Sequence, residues 1–524
     1  MTAGCTGALR SGILHLTLDT RGSSVNVFTP AVALELEREL ENGLAAGARA
    51  VVLRSAKPGS FVNGVGLLLA ASSHSRGAAL ERARSLQRCY ERLAAAPVPT
   101  IAAIEGNCYG CGLELALTCD YRLARDSYDT HFYMPELRDY AFIPLFGGTQ
   151  RLPRLLGLRA GMEVLLGTRV DARRAARIGL VDRLAPLQDM DAVLRSLLSA
   201  LRAGGWRKPA PVSRRGASTF SLKAVPGPER KLAEECLRLA RLPFARGYRL
   251  EVGLRAELES FWRTLATPES ERAMSLFFVR QAAKAHAIGS AAYVRPARLA
   301  VAVRPQNLAL QKLERLLRGR HLPGVSVGRS GSIAFARSKV AGALTCTLGA
   351  DAGEGDCAAF LPFPDLPVPP IEIVPRSGGT PWRRGAALFQ VLEQAGFSPV
   401  VTRARDGFVS ERLIESFRSA VGGASREALL DFGFRLPRSL LRRLPRRGSD
   451  DAAGRRIALA LAAESVRALE AGELTHPSQA DLLAQVLFGF PVVRGGLLRY
   501  AASSHSSTGR EAARVLGLRL SDRA

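Results

Sequence analysis

One stretch constrains this chain more than any other: Ile101 to Leu156, IAAIEGNCYGCGLELALTCDYRLARDSYDTHFYMPELRDYAFIPLFGGTQRLPRLL. An apolar run, Thr100 to Ile104, leads into it and predicts a buried strand. A small-residue turn from Gly106 to Gly112 follows, and then helical apolar spacing from Leu113 to Cys119. A second glycine turn, Gly147-Gly148, precedes another predicted helix. A strand that breaks through glycines into a helix start aims backbone N–H groups at one spot, which suits a developing negative charge. Glu114 and Glu136 bring two carboxyl groups to the same stretch.

The chain of 524 residues exceeds what one core organises and predicts two to four domains. Apolar residues make up 47%, as in ordinary globular proteins. No apolar run reaches the roughly 18 to 20 residues that span a bilayer. Met1 to Ser11 has no apolar signal core, and the closing Ser-Asp-Arg-Ala is not a Ser-Lys-Leu type of peroxisomal address, so the sequence carries no readable targeting signal. Eight cysteines, most in apolar runs, predict buried thiols. Cys108 and Cys111 form a C-x-x-C without a second pair at zinc spacing, so no metal site is expected. The net charge of +26, with arginine clusters at Arg207 to Arg215 and Arg435 to Arg447, leaves two readings. It is either a solvated basic surface or an attraction to polyanions such as nucleic acid or CoA esters.

In chain order, strands are predicted at Ile13 to Leu18 and Ala50 to Ser55, and helices at Ala31 to Leu44 and Ala78 to Ala94. Helices at Leu158 to Leu166 and Asp171 to Ile178 close an α/β region near residue 200. Gly204 to Pro228 is rich in Pro, Gly, Ser and Arg and reads as a linker. Residues 229 to 288 have helical spacing. A strand at Leu299 to Val303 follows, then an irregular pattern up to Ile371 to Val374. Helices are expected at Ala386 to Ala395, Glu411 to Ser419, Arg456 to Ala471 and Gln479 to Leu487, the last pair ending the ordered part.

The run A-x-I-x-G-x-x-x-G-x-G-x-E-L-A-L-x-C-D-Y-R, then Pro135-Glu136, then FGGTQRLPRLLG at 146–157 resembles the crotonase (enoyl-CoA hydratase/isomerase) superfamily. Residues 251–288 resemble the linking helix of bifunctional hydratase/3-hydroxyacyl-CoA dehydrogenases. IEIVP at 371–375, DGFVSERL at 406–413, DFGFR at 431–435 and FGFPVVRGGLLRYA at 488–501 resemble pieces of the dehydrogenase half, in order. The resemblance implies an α/β chain: a crotonase-like ββα spiral domain (1–203), a helical linker (204–290), a truncated Rossmann-like domain (291–385) and two C-terminal helical dehydrogenase-like domains (386–447 and 448–524).

The resemblance also assigns a site. Glu114 and Glu136 match the catalytic glutamates, and the backbone N–H groups of Asn63 and Cys111 match the oxyanion hole. The residues alone admit a structural reading, with Glu114 a first-turn helix acid and Glu136 a loop acid. Cys111 stands where the family has Gly, Gly66 where it has Asp, and Tyr133 where it has a small residue; LRDYAFIP after Glu136 is bulky and one residue longer. Arg54 and Lys57, beside the Asn63 loop, are expected to meet CoA phosphates.

In the second half, Arg304-Pro305-Gln306-Asn307-Leu308-Ala309 follows the strand where a dinucleotide fold needs glycines. Phe360 stands at the family's catalytic His position and Glu411 at its Asn, whereas Glu372 is kept. NAD binding is therefore expected to be lost, with no cofactor beyond a CoA thioester substrate.

The expected function is an enoyl-CoA hydratase of fatty-acid β-oxidation, with enoyl isomerase activity as an accompaniment. The resemblance implies a peroxisome or related organelle, or a mitochondrion, and a monomer or dimer. The alternatives are an inactive basic scaffold that docks on RNA, and an acyl-CoA-binding regulator.

Overall fold

The computed structural model describes residues 4–518 except 24, 65–75, 128–129, 187–188, 205–219, 224, 226, 275–298, 304–310, 312, 315–324, 329–332, 337–343, 349–355, 364–365, 367–368, 376–387, 390–391, 394–396, 404–406, 447–449 and 451. It divides into two units. The first is Met1–Leu222 with Lys231–Ala266, the second Lys223–Arg230 with Thr267–Ala524.

In the first unit β1 (Cys5–Arg10) and β2 (Ile13–Leu18) form a hairpin. Its two turn residues, Ser11 and Gly12, have φ of 51° and 76°, the positive pair that a tight hairpin turn demands. Every second residue of β2 is buried, as an alternating sequence requires. Helix α1 (Pro30–Ala45) starts with Pro at its first turn, and the Thr29 side chain accepts the Val32 N–H.

Three repeats follow, each with two strands and a helix. They are β3 (Ala50–Ser55), β4 (Ser60–Asn63) and α2 (Arg76–Ala94); β5 (Thr100–Ile104), β6 (Asn107–Tyr109) and α3 (Cys111–Thr118); and β7 (Tyr121–Arg125), β8 (His131–Tyr133) and α4 (Glu136–Asp139). The first strand of each joins a six-stranded sheet of order β1-β2-β3-β5-β7-β10, where β10 is Arg183–Ala185. The second joins a four-stranded sheet of order β4-β6-β8-β9, where β9 is Val170–Asp171. This is the expected ββα spiral, and it stacks the three strand-to-helix turns in one region.

Helices α5 (Gly148–Leu156), α6 (Leu158–Leu165) and α7 (Ala172–Ile178) match the expected helices, and α8 (Met190–Ala203) is a further helix that the sequence reading did not place. Leu194, Leu197 and Leu198 of α8 pack on Val52, Ile101 and Leu123 of the large sheet.

The expected linker is not a spacer. After α9 (Gly227–Arg241) comes α10 (Leu250–Leu265), which belongs to the first unit and not to a separate connecting segment. Gly253, Glu257, Ser260 and Phe261 of α10 are buried, at the i, i+4, i+7, i+8 spacing of one helix face.

The second unit holds a seven-stranded sheet of order β12-β11-β13-β14-β15-β16-β17. Its strands are β11 (Leu299–Val303), β12 (Val325–Gly328), β13 (Ile333–Ala336), β14 (Leu344–Leu348), β15 (Cys357–Phe360), β16 (Pro370–Pro375) and β17 (Ser398–Val401). All pairs are parallel except β15 with β16. The irregular pattern expected before Ile371 is therefore corrected. Four of these strands lie there, each only four or five residues long, too short for a periodicity to declare itself. The sheet also passes the expected boundary at residue 385, because β17 pairs with β16. The predicted helix Ala386 to Ala395 falls largely outside the described residues.

The C-terminal helices are α11 (Val409–Ala420), α12 (Arg426–Phe432), α13 (Arg438–Leu441), α14 (Ala453–Glu470), α15 (Pro477–Phe488), α16 (Leu497–Ala502) and α17 (Ser507–Val515). Order thus continues through α16 and α17, beyond the predicted end at Leu487. Leu413 and Phe417 share one core with Ile457, Leu461, Phe488 and Leu498, so the two expected helical domains meeting at residues 447 and 448 are a single body. No helix among the described residues is long and apolar enough to cross a membrane. All eight cysteines are buried thiols, and among the described residues no cluster of acids, histidines and cysteines has metal-binding geometry.

Candidate active site

Strand β6 ends against Gly110, whose φ of 53° and ψ of −123° start α3. Leu113 and Glu114 donate their N–H groups to the Gly110 carbonyl at 2.9 and 3.0 Å. Cys111, one residue into the helix, has its N–H directed out of the helix start, as all first-turn amides are, and among the described residues no acceptor takes it. The close approach needs glycine at Gly112, where a Cβ would lie 2.4 Å from the Val62 carbonyl oxygen. The family's Gly position is filled by Cys111 without a positive φ: the left-handed residue is its neighbour Gly110.

Glu114 is 1% exposed. Its Oε1 accepts the Phe146 N–H at 2.8 Å and the Gly148 N–H at 2.7 Å. Glu136, at the start of α4, places its Oε1 2.6 Å from where a Cβ on Gly110 would stand. Its Oε2 is buried and has no hydrogen-bond partner among the described residues. The two carboxyls predicted from sequence are thus brought together at the start of α3. Burial pushes both up, Glu136 to about 8. The charges of Glu257 and Glu136 add to the rise at Glu114, and its two backbone donors oppose it.

Helix α2 braces this corner. Tyr90 donates to the Cys111 carbonyl at 2.8 Å and stacks on Phe146 with centroids 4.7 Å apart. Gln87 donates to the Leu145 carbonyl at 3.0 Å. The bulky loop after Glu136 is docked on α10. Phe142 meets Phe261 edge-on at 5.5 Å, and Ile143 donates its N–H to Thr264 Oγ1 at 3.1 Å. Ala141 in that loop has a φ of 56°, a left-handed conformation that the surrounding contacts hold in place. Tyr133 donates to Asp139 at 2.7 Å, and its ring lies edge-on to Tyr109.

One sequence expectation is corrected: the Asn63 N–H is not an oxyanion donor, because it is bonded to the Asn26 carbonyl at 2.9 Å. Arg54 and Lys57 are ion-paired, Arg54 2.8 Å from Asp191 and 3.7 Å from Glu105, and Lys57 2.6 Å from Asp19. Gly66 and the cluster Arg207 to Arg215 lie outside the described residues. Sequence reasoning missed Glu257 on α10. Its signal was an acid on the buried stripe of an amphipathic helix.

In the second unit, Phe360 and Glu411 line one cavity of about 470 Å³ together with Phe363, Phe408 and Arg412. Phe360 stacks on Phe408 at 5.2 Å and sits opposite Glu372 across β15 and β16. The buried Glu372 carboxylate accepts the Val409 and Ser410 N–H groups at 3.0 and 2.7 Å, and the Thr402 hydroxyl at 2.6 Å. It therefore serves the start of α11, where an anion is favoured. The Arg304 to Ala309 segment lies outside the described residues.

Comparison with known proteins places a family over the part of the chain that holds these residues. A family model described as enoyl-CoA hydratase/isomerase matches residues 8–207. Those residues form a crotonase-family domain. The fatty acid oxidation complex subunit alpha of Aliivibrio fischeri is 30% identical over 285 residues, which is 51% of this chain and 40% of that protein. The subunit of the same name from Vibrio campbellii is 38% identical over 180 residues, 33% of this chain and 25% of that protein. The first of these matches is longer than the crotonase-family domain and so runs beyond it. The matched part spans less than half of the length of either relative. Among solved structures, an enoyl-CoA hydratase from Bacillus halodurans is 20% identical with a TM-score of 0.40, covering 52% of this chain and 98% of that chain. The relatives are bacterial, which lends the organellar expectation no support.

Proposed function

We propose that the crotonase-family domain adds water to 2-enoyl-CoA thioesters, as in fatty-acid β-oxidation. The observation that carries this reading is the pair of buried carboxyls at the start of α3, placed in unlike surroundings. Glu114 has two backbone donors, which favour its anion. Glu136 keeps an unpartnered buried oxygen and holds its proton up to about pH 8. Burial pushes both carboxyls up, so the assignment of Glu114 as base and Glu136 as acid rests on their hydrogen bonding: two donors favour the Glu114 anion, and the bare Glu136 oxygen favours a held proton.

A water between them gives a proton to Glu114 as its oxygen bonds to C3 of the enoyl group. The C2–C3 π electrons move toward the thioester, whose oxygen gains negative charge against the Cys111 N–H. Glu136 then delivers its proton to C2. Double-bond isomerisation draws on the same pair by moving a proton between C2 and C4. The account gives a pH dependence: turnover falls as pH rises through about 8, where Glu136 loses the proton it must donate. A rate profile for crotonyl-CoA hydration that is flat from pH 7 to about 10 would contradict the assignment.

We also propose that the second unit is a dehydrogenase-like body without NAD-dependent activity. Support comes from the glycine-free segment Arg304 to Ala309, the aromatic Phe360 at the position of the proton acceptor, and the commitment of Glu372 to α11. Calorimetric titration of the full chain with NADH is expected to show no binding into the millimolar range. Micromolar binding would refute the loss.

A further inference from the structure

We infer that Glu257, on α10, is a positioning residue for Glu114: the two carboxylates divide the successive amides of one loop, and the charge of Glu257 strengthens Glu114 as the base. This rests on the hydratase reading above. Four consecutive N–H groups, from Phe146 to Thr149, are shared alternately. Phe146 and Gly148 donate to Glu114 Oε1, at 2.8 and 2.7 Å. Gly147 and Thr149 donate to Glu257, at 2.5 and 2.8 Å. The Thr149 hydroxyl also donates to Glu257 Oε2. Gly147 is left-handed, with φ of 101° and ψ of 12°, and the helix starts at Gly148, so the chain turns sharply through these amides and presents them to two anions.

Glu257 is 0% exposed, with its partners 108 and 110 residues away in sequence. A neutral amide or hydroxyl could occupy this buried place without the desolvation cost that a carboxylate carries. The groups facing it come from every neighbouring element. Arg151 of α5 opposes its charge and donates to the Phe146 carbonyl at 3.0 Å. Glu114 of α3, Glu136 of α4, Cys236 of α9 and Tyr248 ahead of α10 all feel its charge. Tyr248 donates to Gln150 Oε1 at 3.1 Å, and Gln150 donates to Thr149 Oγ1 at 2.7 Å, so the loop's far side is fixed by the same network. Burial brings Glu257 up to about 7, in the range where its charge changes near neutral pH. A neighbouring negative charge makes a carboxylate hold a proton more tightly, and so makes Glu114 the stronger acceptor for the proton of water.

The test uses the full chain as wild type, Glu257→Gln, Glu257→Asp and Thr149→Val. An infrared titration of the protonated carboxyl band needs no substrate. Glu257→Gln is expected to lower the midpoint of the remaining buried carboxyls by about one pH unit, whereas Glu257→Asp, which keeps the charge, leaves it in place. Should Glu257→Gln not fold, Thr149→Val decides, because it takes one donor from Glu257 and raises that group's own midpoint. In the kinetic arm, kcat for crotonyl-CoA falls about tenfold in Glu257→Gln and the acid limb of its pH profile moves down by about one unit. Folded variants whose carboxyl titration matches wild type overturn the proposal. Absence of wild-type turnover overturns the hydratase reading instead and leaves the infrared comparison to decide the role of Glu257.

Discussion

Glu114→Gln lowers kcat for crotonyl-CoA hydration by about a thousandfold or more, with the chain still folded. The amide keeps one oxygen for the Phe146 and Gly148 N–H groups but cannot take a proton from water. Glu136→Gln loses a similar factor for the complementary reason, since it has no proton to give. The double variant loses little more than either alone, because the two groups act as a unit.

Stability moves the other way in Glu136→Gln, and the sign follows from linkage. The folded protein holds Glu136 near 8, above the ordinary carboxyl value of 4.5. Its contribution is therefore fully present below about pH 4.5 and is lost as pH rises through about 8. A glutamine has no such loss. The variant gains on wild type across that window, by on the order of a few kcal/mol at its upper end. Thermal melts at pH 5 and pH 8 read this, and a gain that shrinks with rising pH would contradict the buried, neutral Glu136.

Gly106→Ala is expected to cost more than about 3 kcal/mol in the first unit. Gly106 has a φ of 96°, and a Cβ there would lie 1.9 Å from the Gly59 carbonyl carbon and 2.4 Å from its Cα. Both obstacles are backbone, so no side chain can swing aside. The crossing also fixes the register of β4 and β6, since Asn107 donates to the Gly59 carbonyl at 3.0 Å. Displacing it moves the start of α3 and with it the Cys111 N–H. The transition of the first unit should fall by about 6 °C or more, at roughly 2 to 4 °C per kcal/mol. Gly179→Ala is the control. Its φ of 83° is strained for alanine, but nothing stands within 4 Å of the added carbon, so its cost is about 1 kcal/mol. Equal costs for the two substitutions would refute the steric account.

What could be read from sequence follows the range of the forces involved. The strands Ile13–Leu18, Ala50–Ser55, Thr100–Ile104 and Leu299–Val303 match their predicted bounds, because burial along them is a local pattern. Glu114 and Glu136 were visible through motif positions, and the structure brings them together. The Asn63 assignment failed for a reason that no spacing discloses: its N–H is bonded to Asn26, on a preceding loop. Glu257 could be placed on the buried stripe of a helix, but its ligands Gly147 and Thr149, more than a hundred residues upstream, could not be read from it. The strands β12 to β15 were missed because four residues between glycines and serines do not establish a period. Their pairing comes from parallel neighbours far along the chain.

The central claim is that the acid pair at the start of α3 performs hydration in a chain whose second unit lacks NAD chemistry. The purified full chain, supplied with crotonyl-CoA and NAD, tests it directly when loss of the conjugated thioester absorbance and growth of NADH absorbance are followed together. The account predicts saturable loss of the enoyl thioester, accumulation of the 3-hydroxyacyl thioester, and no NADH. A folded chain that leaves crotonyl-CoA untouched, or one that carries the hydrated product on to NADH, would contradict it.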